Sequence, residues 1–316
     1  MTFSPPPGAP RARIPAPSQP PPSYPRIRAG LWKRCLWGGL GLWALTALVT
    51  YATGNTTLLP TLILLGSFLV PVTFVLWAYE RHGQDLGVSA ILGCFLTGGT
   101  LGVLGASVME YHLSRPSLGM FAGVGLIEEA VKLAALVFVL RRQVRLRGTR
   151  AGLVLGAAVG FGFAALESAG YAFDAAVSTR GIDLRALLET ELLRGVLAPF
   201  GHGLWTAIAG GALLSYRRPN GRFHLAGPVV GTFVGVALLH ALWDSAQGIA
   251  IWLVARLAGT GLDKRLFAEG YVPGPTERQE HLFTSFSVGG LVLVSLFGIA
   301  WVRSLARRDA SWRNTP

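Results

Sequence analysis

Charged residues are scarce in this chain of 316 residues, 14% of the total, where an ordinary globular domain carries about 25%. Three windows, 35–53, 57–79 and 282–302, contain none at all. Each is long enough to cross a hydrocarbon core, which takes about 20 apolar residues. This scarcity argues against a soluble enzyme and implies a polytopic membrane protein. Cysteine is scarcer still: Cys35 and Cys94 are the only two, and both lie inside apolar stretches, so there is neither a disulfide framework nor a CxxC metal motif. Acids are the minority charge, 16 against 28 basic residues, for a net charge of +12. In a soluble protein that excess would suggest nucleic acid. Here the arginines cluster between apolar segments and read as topology signals, with the lipid bilayer as partner and no nucleic acid.

What is present falls into eight apolar stretches, near 36–53, 57–79, 87–109, 118–140, 151–173, 195–216, 226–255 and 282–302. The expected fold is all-α, a polytopic integral membrane helix bundle of about eight transmembrane helices. Proline gathers at the start, alongside Arg11, Arg13, Arg26 and Arg28 and without an acid. Such a segment cannot bury a core, so 1–30 is expected to be disordered and cytoplasmic. A transmembrane domain over 31–305 and a basic cytoplasmic tail over 306–316 follow. No small-residue cleavage site succeeds the first apolar stretch, which reads as a retained helix. With eight crossings, Arg141, Arg142, Arg145, Arg147 and Arg150 share one side with Arg217, Arg218 and Arg222 and with the basic ends, whereas the opposite loops mix signs. Both termini are therefore expected inside. The seventh stretch is too long for one upright crossing, and a tilt, a kink or an interfacial extension after Gln247 is expected.

The informative residues are the ionisable ones inside these stretches: Glu128, Glu129 and Lys132 in the fourth, Glu167 in the fifth, His202 in the sixth, His240 and Asp244 in the seventh. A charge at the bilayer centre costs about 2.5 to 3.5 kcal/mol on insertion scales, so these groups must face one another or water. Helical spacing supports that. Lys132 lies three and four residues beyond the two acids and is expected to neutralise one, leaving the other free for chemistry. His240 and Asp244 are one turn apart, so the carboxylate is expected to fix which ring nitrogen faces the site. Gly152, Gly156 and Gly160 form a small-residue seam that permits close helix approach.

Together the set offers a base, electrophilic donors and orienting partners. Glu128 and Glu129 are jointly assigned to water activation. His202 and His240 serve either as oxyanion donors in a metal-free glutamate mechanism, slightly the preferred reading, or as ligands of zinc together with Glu129 and Glu167. No HExxH is present. A proton-coupled transporter uses the same residue types, but no internal repeat points to one. A catalytically dead scaffold is the third reading.

The segments Glu128-Glu129-Ala-Val-Lys132, Phe163-Ala-Ala-Leu-Glu167, Gly-His202-Gly-Leu-Trp-Thr and His240-Ala-Leu-Trp-Asp244 resemble those of the PrsW family of intramembrane proteases, related to CAAX prenyl proteases and bacteriocin-processing membrane enzymes. The resemblance covers a motif core over roughly 118–246. It departs at Ser168, where the family has Asn. It implies intramembrane endopeptidase activity on a single-span membrane protein, anti-sigma factors among the family's substrates, in a bacterial plasma membrane. From helical rise, Glu128 and Glu129 are expected about 15 Å below the outer boundary, with the cavity and the cut on the extracytoplasmic side.

Overall fold

The computed structural model describes residues 30–111, 113, 118–178, 181–258 and 275–313, with side chains as far as 308. Nearly all of the Pro-rich 1–30 segment, most of the 258–281 loop and the last three residues of the basic tail lie outside them. The chain folds as helix α1 (Leu31–Thr53), α2 (Leu59–Leu86), α3 (Val88–Thr97), a π-helical turn (Gly98–Gly102), α4 (Val103–Glu110), α5 (Leu118–Leu140) and α6 (Thr149–Ala176). A two-rung hairpin pairs β1 (Val177–Ser178) with β2 (Gly181–Ile182). Then come α7 (Leu184–Leu197), a 3-10 turn (Ala198–Phe200), α8 (His202–Ser215), α9 (Gly227–Asp244), α10 (Ala246–Leu257) and α11 (Glu277–Arg313).

Among the described residues, seven helical segments are long and apolar enough to cross a membrane. The eighth helix of that length is α5, with 23 residues, or about 34 Å; it carries Glu128, Glu129 and Lys132. The molecule is thus the expected polytopic helical bundle. Two boundaries differ from expectation. The sixth crossing begins at Leu184 rather than near 195, because α7 and α8 run on either side of a break at Ala198–Gly201; Glu189 and Glu191 lie on that helix, not in a loop. The seventh stretch breaks at Ser245, two residues before Gln247, into α9 and α10.

Helix α6 is the centre of the bundle, with 83% of its apolar window buried, against 6% for α1 and for α11. Its glycine seam explains that place. A Cβ at Gly152, Gly156 or Gly160 would overlap the backbone of Gly210, Thr206 or His202, respectively, so the α6 and α8 backbones meet directly along three turns. On another face of α6, the π-helical turn brings Gly98 and Gly99 against Val159 and Gly162. Backbones this close gain packing without large apolar side chains, the usual means of helix association where lipid competes for apolar contacts. The seam fixes the axial register of α8 on α6, and with it the position of His202.

Candidate active site

The site is assembled from α5, α6, the end of α7, the start of α8 and the end of α9. The double acid and the lysine lie on one face of α5, as their spacing dictates. Lys132 is wholly buried, Glu129 likewise, and Glu128 is 5% exposed. Lys132 reaches both acids rather than one, with Nζ 2.9 Å from Glu128 Oε2 and 2.9 Å from Glu129 Oε1. Its third contact is His202 Nδ1 at 2.8 Å, and the Phe163 ring covers it at 4.0 Å. Three donors thus meet three acceptors, which is how a buried ammonium is retained.

His202 opens α8 just after the Pro199-Phe200-Gly201 break, so the positive end of that helix dipole falls among the carboxylates. Its Nε2 lies 2.9 Å from Glu167 Oε2, and its Nδ1 lies 3.7 Å from Glu128 Oε2. His240, 1% exposed, shows the same pattern with its nitrogens exchanged. Its Nδ1 is 3.2 Å from Glu129 Oε1, and its Nε2 is 3.5 Å from Glu128 Oε2. The two rings stand edge to face at 5.0 Å, and Trp205 packs on His240 at 4.6 Å.

One carboxylate therefore lies behind each imidazole: Glu167 behind His202, Glu129 behind His240. A carboxylate accepts and an ammonium donates, so the closest contact of each ring places a proton on His202 Nε2, with Lys132 on its Nδ1, and on His240 Nδ1. The remaining lone pairs, on His202 Nδ1 and His240 Nε2, both turn toward Glu128. Among the described residues, the three whose ligand atoms fall within 4.8 Å of one another are Glu128, His202 and His240. Glu128 thus takes the place beside the histidines that the sequence reading gave to Glu129 and Glu167, which sit on the outer sides of the rings. Asp244 also departs from its expected place. Its Oδ2 approaches the inward-facing Nε2 of His240, at 3.4 Å, and the orienting position on Nδ1 belongs to Glu129.

Two further residues hold the site: Thr206, whose spacing puts it on the helix face of His202, and Arg194, which the sequence did not single out. Thr206, wholly buried one turn after His202, donates to Glu129 Oε2 at 3.2 Å. Arg194, in the last turn of α7, bonds Glu167 Oε2 and, through Nε, Ser168 Oγ at 2.8 Å, while its guanidinium lies over Tyr171 at 4.2 Å. Ser168 thus serves as a hydroxyl anchor for Arg194. The signal for Arg194 was its place ten residues into a charged segment that continues into the sixth crossing, a continuity hidden by the mixed charges. A cavity of about 450 Å³ between the start of α2 and the end of α6 is lined by residues such as Leu59, Ile63 and Phe173, none of them ionisable, and takes no part in the cluster.

The donor set suits a divalent cation. With both imidazoles neutral, the four carboxylates Glu128, Glu129, Glu167 and Asp244 face only Lys132 and Arg194, a deficit of two charges. Two inward lone pairs and a carboxylate also match the three protein ligands of catalytic zinc, with carboxylates behind the imidazoles in the positions that orient metal-bound histidines.

No curated protein and no solved structure matches the chain. A family model does, that of the PrsW family intramembrane metalloproteases, over residues 86–262, a span that takes in every residue of the cluster and more than half of the chain. By that match, the chain belongs to the PrsW family of intramembrane metalloproteases.

Proposed function

We propose that the chain hydrolyses a peptide bond in a single-span membrane protein, at a metal centre formed by Glu128, His202 and His240. The observation that carries the metal reading is the convergence of two imidazole lone pairs on one carboxylate. Oxyanion donors would present N–H groups to the substrate, and both ring protons point away. When bound, a zinc-like ion supplies a Lewis acid and a water acidic enough to attack at neutral pH.

The chain's own residues do the rest. Glu167 and Glu129 hold the two rings by their outer nitrogens. Lys132 and Thr206 fix Glu129 from two further directions, so that acid orients a histidine and is not free to take a proton. Asp244, whose side chain is 27% exposed and lies beside His240 Nε2, is the carboxylate with room to accept the proton of the attacking water and return it to the leaving amine. Binding an ion through His202 Nδ1 requires Lys132 to release that acceptor while keeping its carboxylate partners. The bundle wall excludes bulk water, which strengthens each of these interactions.

The places of Glu167 in the second half of α6 and of Asp244 at the end of α9 support a cut toward the end of the bundle formed by the start of α5 and the ends of α6 and α9. With both termini cytoplasmic, as the arginine distribution favours, that end is extracytoplasmic, and a bacterial plasma membrane is the membrane this reading takes with it from the family resemblance. An anti-sigma factor is one substrate of the right class. Co-expression with a panel of single-span proteins, followed by mass spectrometry of released fragments, tests the reading. Cleavage of at least one by the native protein and of none by Glu128→Gln supports it. Metal analysis should find near-stoichiometric zinc that His202→Ala and His240→Ala both lose. A metal-free protein of full activity would return the assignment to glutamate chemistry.

A further inference from the structure

One ionisable side chain near the cluster has no task in this chemistry. Glu110 is the last residue of α4, and the charged groups near enough to act on it are Glu128, Glu167, Lys132 and His240. Its place follows from helix register. Gly93 packs on Val139 and Gly105 on Val131, so α3 and α4 run antiparallel to α5. Five residues beyond Gly105 on the antiparallel α4, Glu110 lies past the level of Val131 toward that of Glu128. It lies toward the Leu118 end, where a substrate would enter under the depth argument above. Gly102 packs on Phe163 and Ala106 is buried; Glu110 continues that inward face at the next turn.

Glu110 Oε1 is buried and has no hydrogen-bond partner among the described residues. The cations of the site are already engaged, Lys132 by two acids and His202, Arg194 by Glu167, Ser168 and Tyr171. A buried carboxylate oxygen left unpaired is unfavourable, and a ligand that brings a cationic donor removes that penalty. The divalent ion proposed above balances the other four acids against the two cations and leaves Glu110 as the acid of this region without an ion-pair partner among the described residues.

We propose that Glu110 determines specificity by binding a Lys or Arg side chain of the substrate beside the scissile bond. The apolar stem of such a side chain can lie along the substrate's span while its charged head reaches the carboxylate. The proposal rests on the proteolytic reading, and its test separates the two. Two single-span substrates differing only in Lys or Leu next to the cleavage position are presented to the full chain in vesicles. The Lys form is expected to be cut about tenfold faster. Glu110→Gln should bring that ratio close to one, and Glu110→Lys should favour a third substrate with Glu at the same position. A ratio unchanged in both variants overturns the proposal. Binding of the same Lys and Leu peptides to purified Glu128→Gln protein reads Glu110 whether or not a bond is cut. Tighter binding of the Lys peptide that Glu110→Gln removes supports the proposal even if proteolysis fails, and equal binding of the two peptides overturns it.

Discussion

Lys132 and Arg217 are both buried cations, at 0% and 4% exposure, yet their partners differ in kind. Lys132 donates to two carboxylates and an imidazole gathered from α5 and α8. Arg217 donates to backbone carbonyls: Leu140 at 2.8 Å, Gln143 at 3.0 Å, Leu146 at 2.7 Å and Gly221 at 2.9 Å, with Phe223 under its guanidinium. The guanidinium thus caps the last carbonyl of α5, Leu140, and ties the α5–α6 connection to the α8–α9 connection by donating to acceptors in both. Burial lowers the Arg217 pKa, but a guanidinium stays charged. Carbonyls hold no titratable proton, so Arg217 has one state and acts as a pin. The partners of Lys132 can exchange protons or accept an ion in its place. Buried charge alone does not mark a site; partners able to change state do.

The comparison breaks most sharply at Lys132. Lys132→Ala leaves two buried carboxylates without their cation, and the expected cost is about 3 to 5 kcal/mol of stability, together with loss of proteolysis. Denaturation in detergent and cleavage assays measure both. Glu128→Gln keeps shape and insertion but removes the carboxylate facing both histidines, so activity should fall by more than the roughly 100-fold that losing an outer partner of a metal ligand costs, with little change in unfolding. If that variant turned over normally, the central place of Glu128 would be wrong. Arg217→Ala should do the opposite. The Leu146 and Gly221 carbonyls lose their donor while those of Leu140 and Gln143 keep a backbone N–H, which predicts a loss of about 3 kcal/mol, with kcat per folded molecule and zinc content unchanged. A selective fall in kcat would make Arg217 more than a pin.

The same contrast shows what could be read from the sequence. The spanning helices were legible because hydropathy over some 20 residues is a strong signal, and the glycine seam because three glycines at helical spacing have few other uses. The ionisable residues of the cluster stood out for the cost of burying them. What could not be read was their division of labour. Whether Glu128 or Glu129 faces the histidines depends on a rotation of α5 that one residue of spacing cannot reveal. It is set by Gly125 packing on the backbone of Ala237 and Ala241 and by Thr206 engaging Glu129. Arg194 escaped notice for a different reason. Its segment carries Arg185, Glu189 and Glu191 and has the composition of a surface loop, but tertiary packing continues the sixth crossing through it.

Arg194 tests the finer grain of the comparison, since it is a cation with both kinds of partner. It bonds a hydroxyl and stacks on a ring, as a pin would, but it also bonds Glu167, whose Oε2 is in contact with His202. If the Glu167 contact dominates, Arg194 is a positioning residue for His202, and Arg194→Gln should lower zinc affinity and kcat together. Outer partners of metal ligands typically contribute 10- to 100-fold. KM for a neutral substrate should move little, because Arg194 sits behind the histidine and not at the entry near Glu110. Arg194→Lys keeps the charge but loses the planar fork that serves Glu167 and Ser168 at once, so it should recover part of the zinc affinity and not all. Chelator competition on the purified variants measures this directly. Equal zinc affinity in all three forms, with only a lower unfolding midpoint, would place Arg194 with Arg217 among the pins and leave Glu167 to hold His202 unaided.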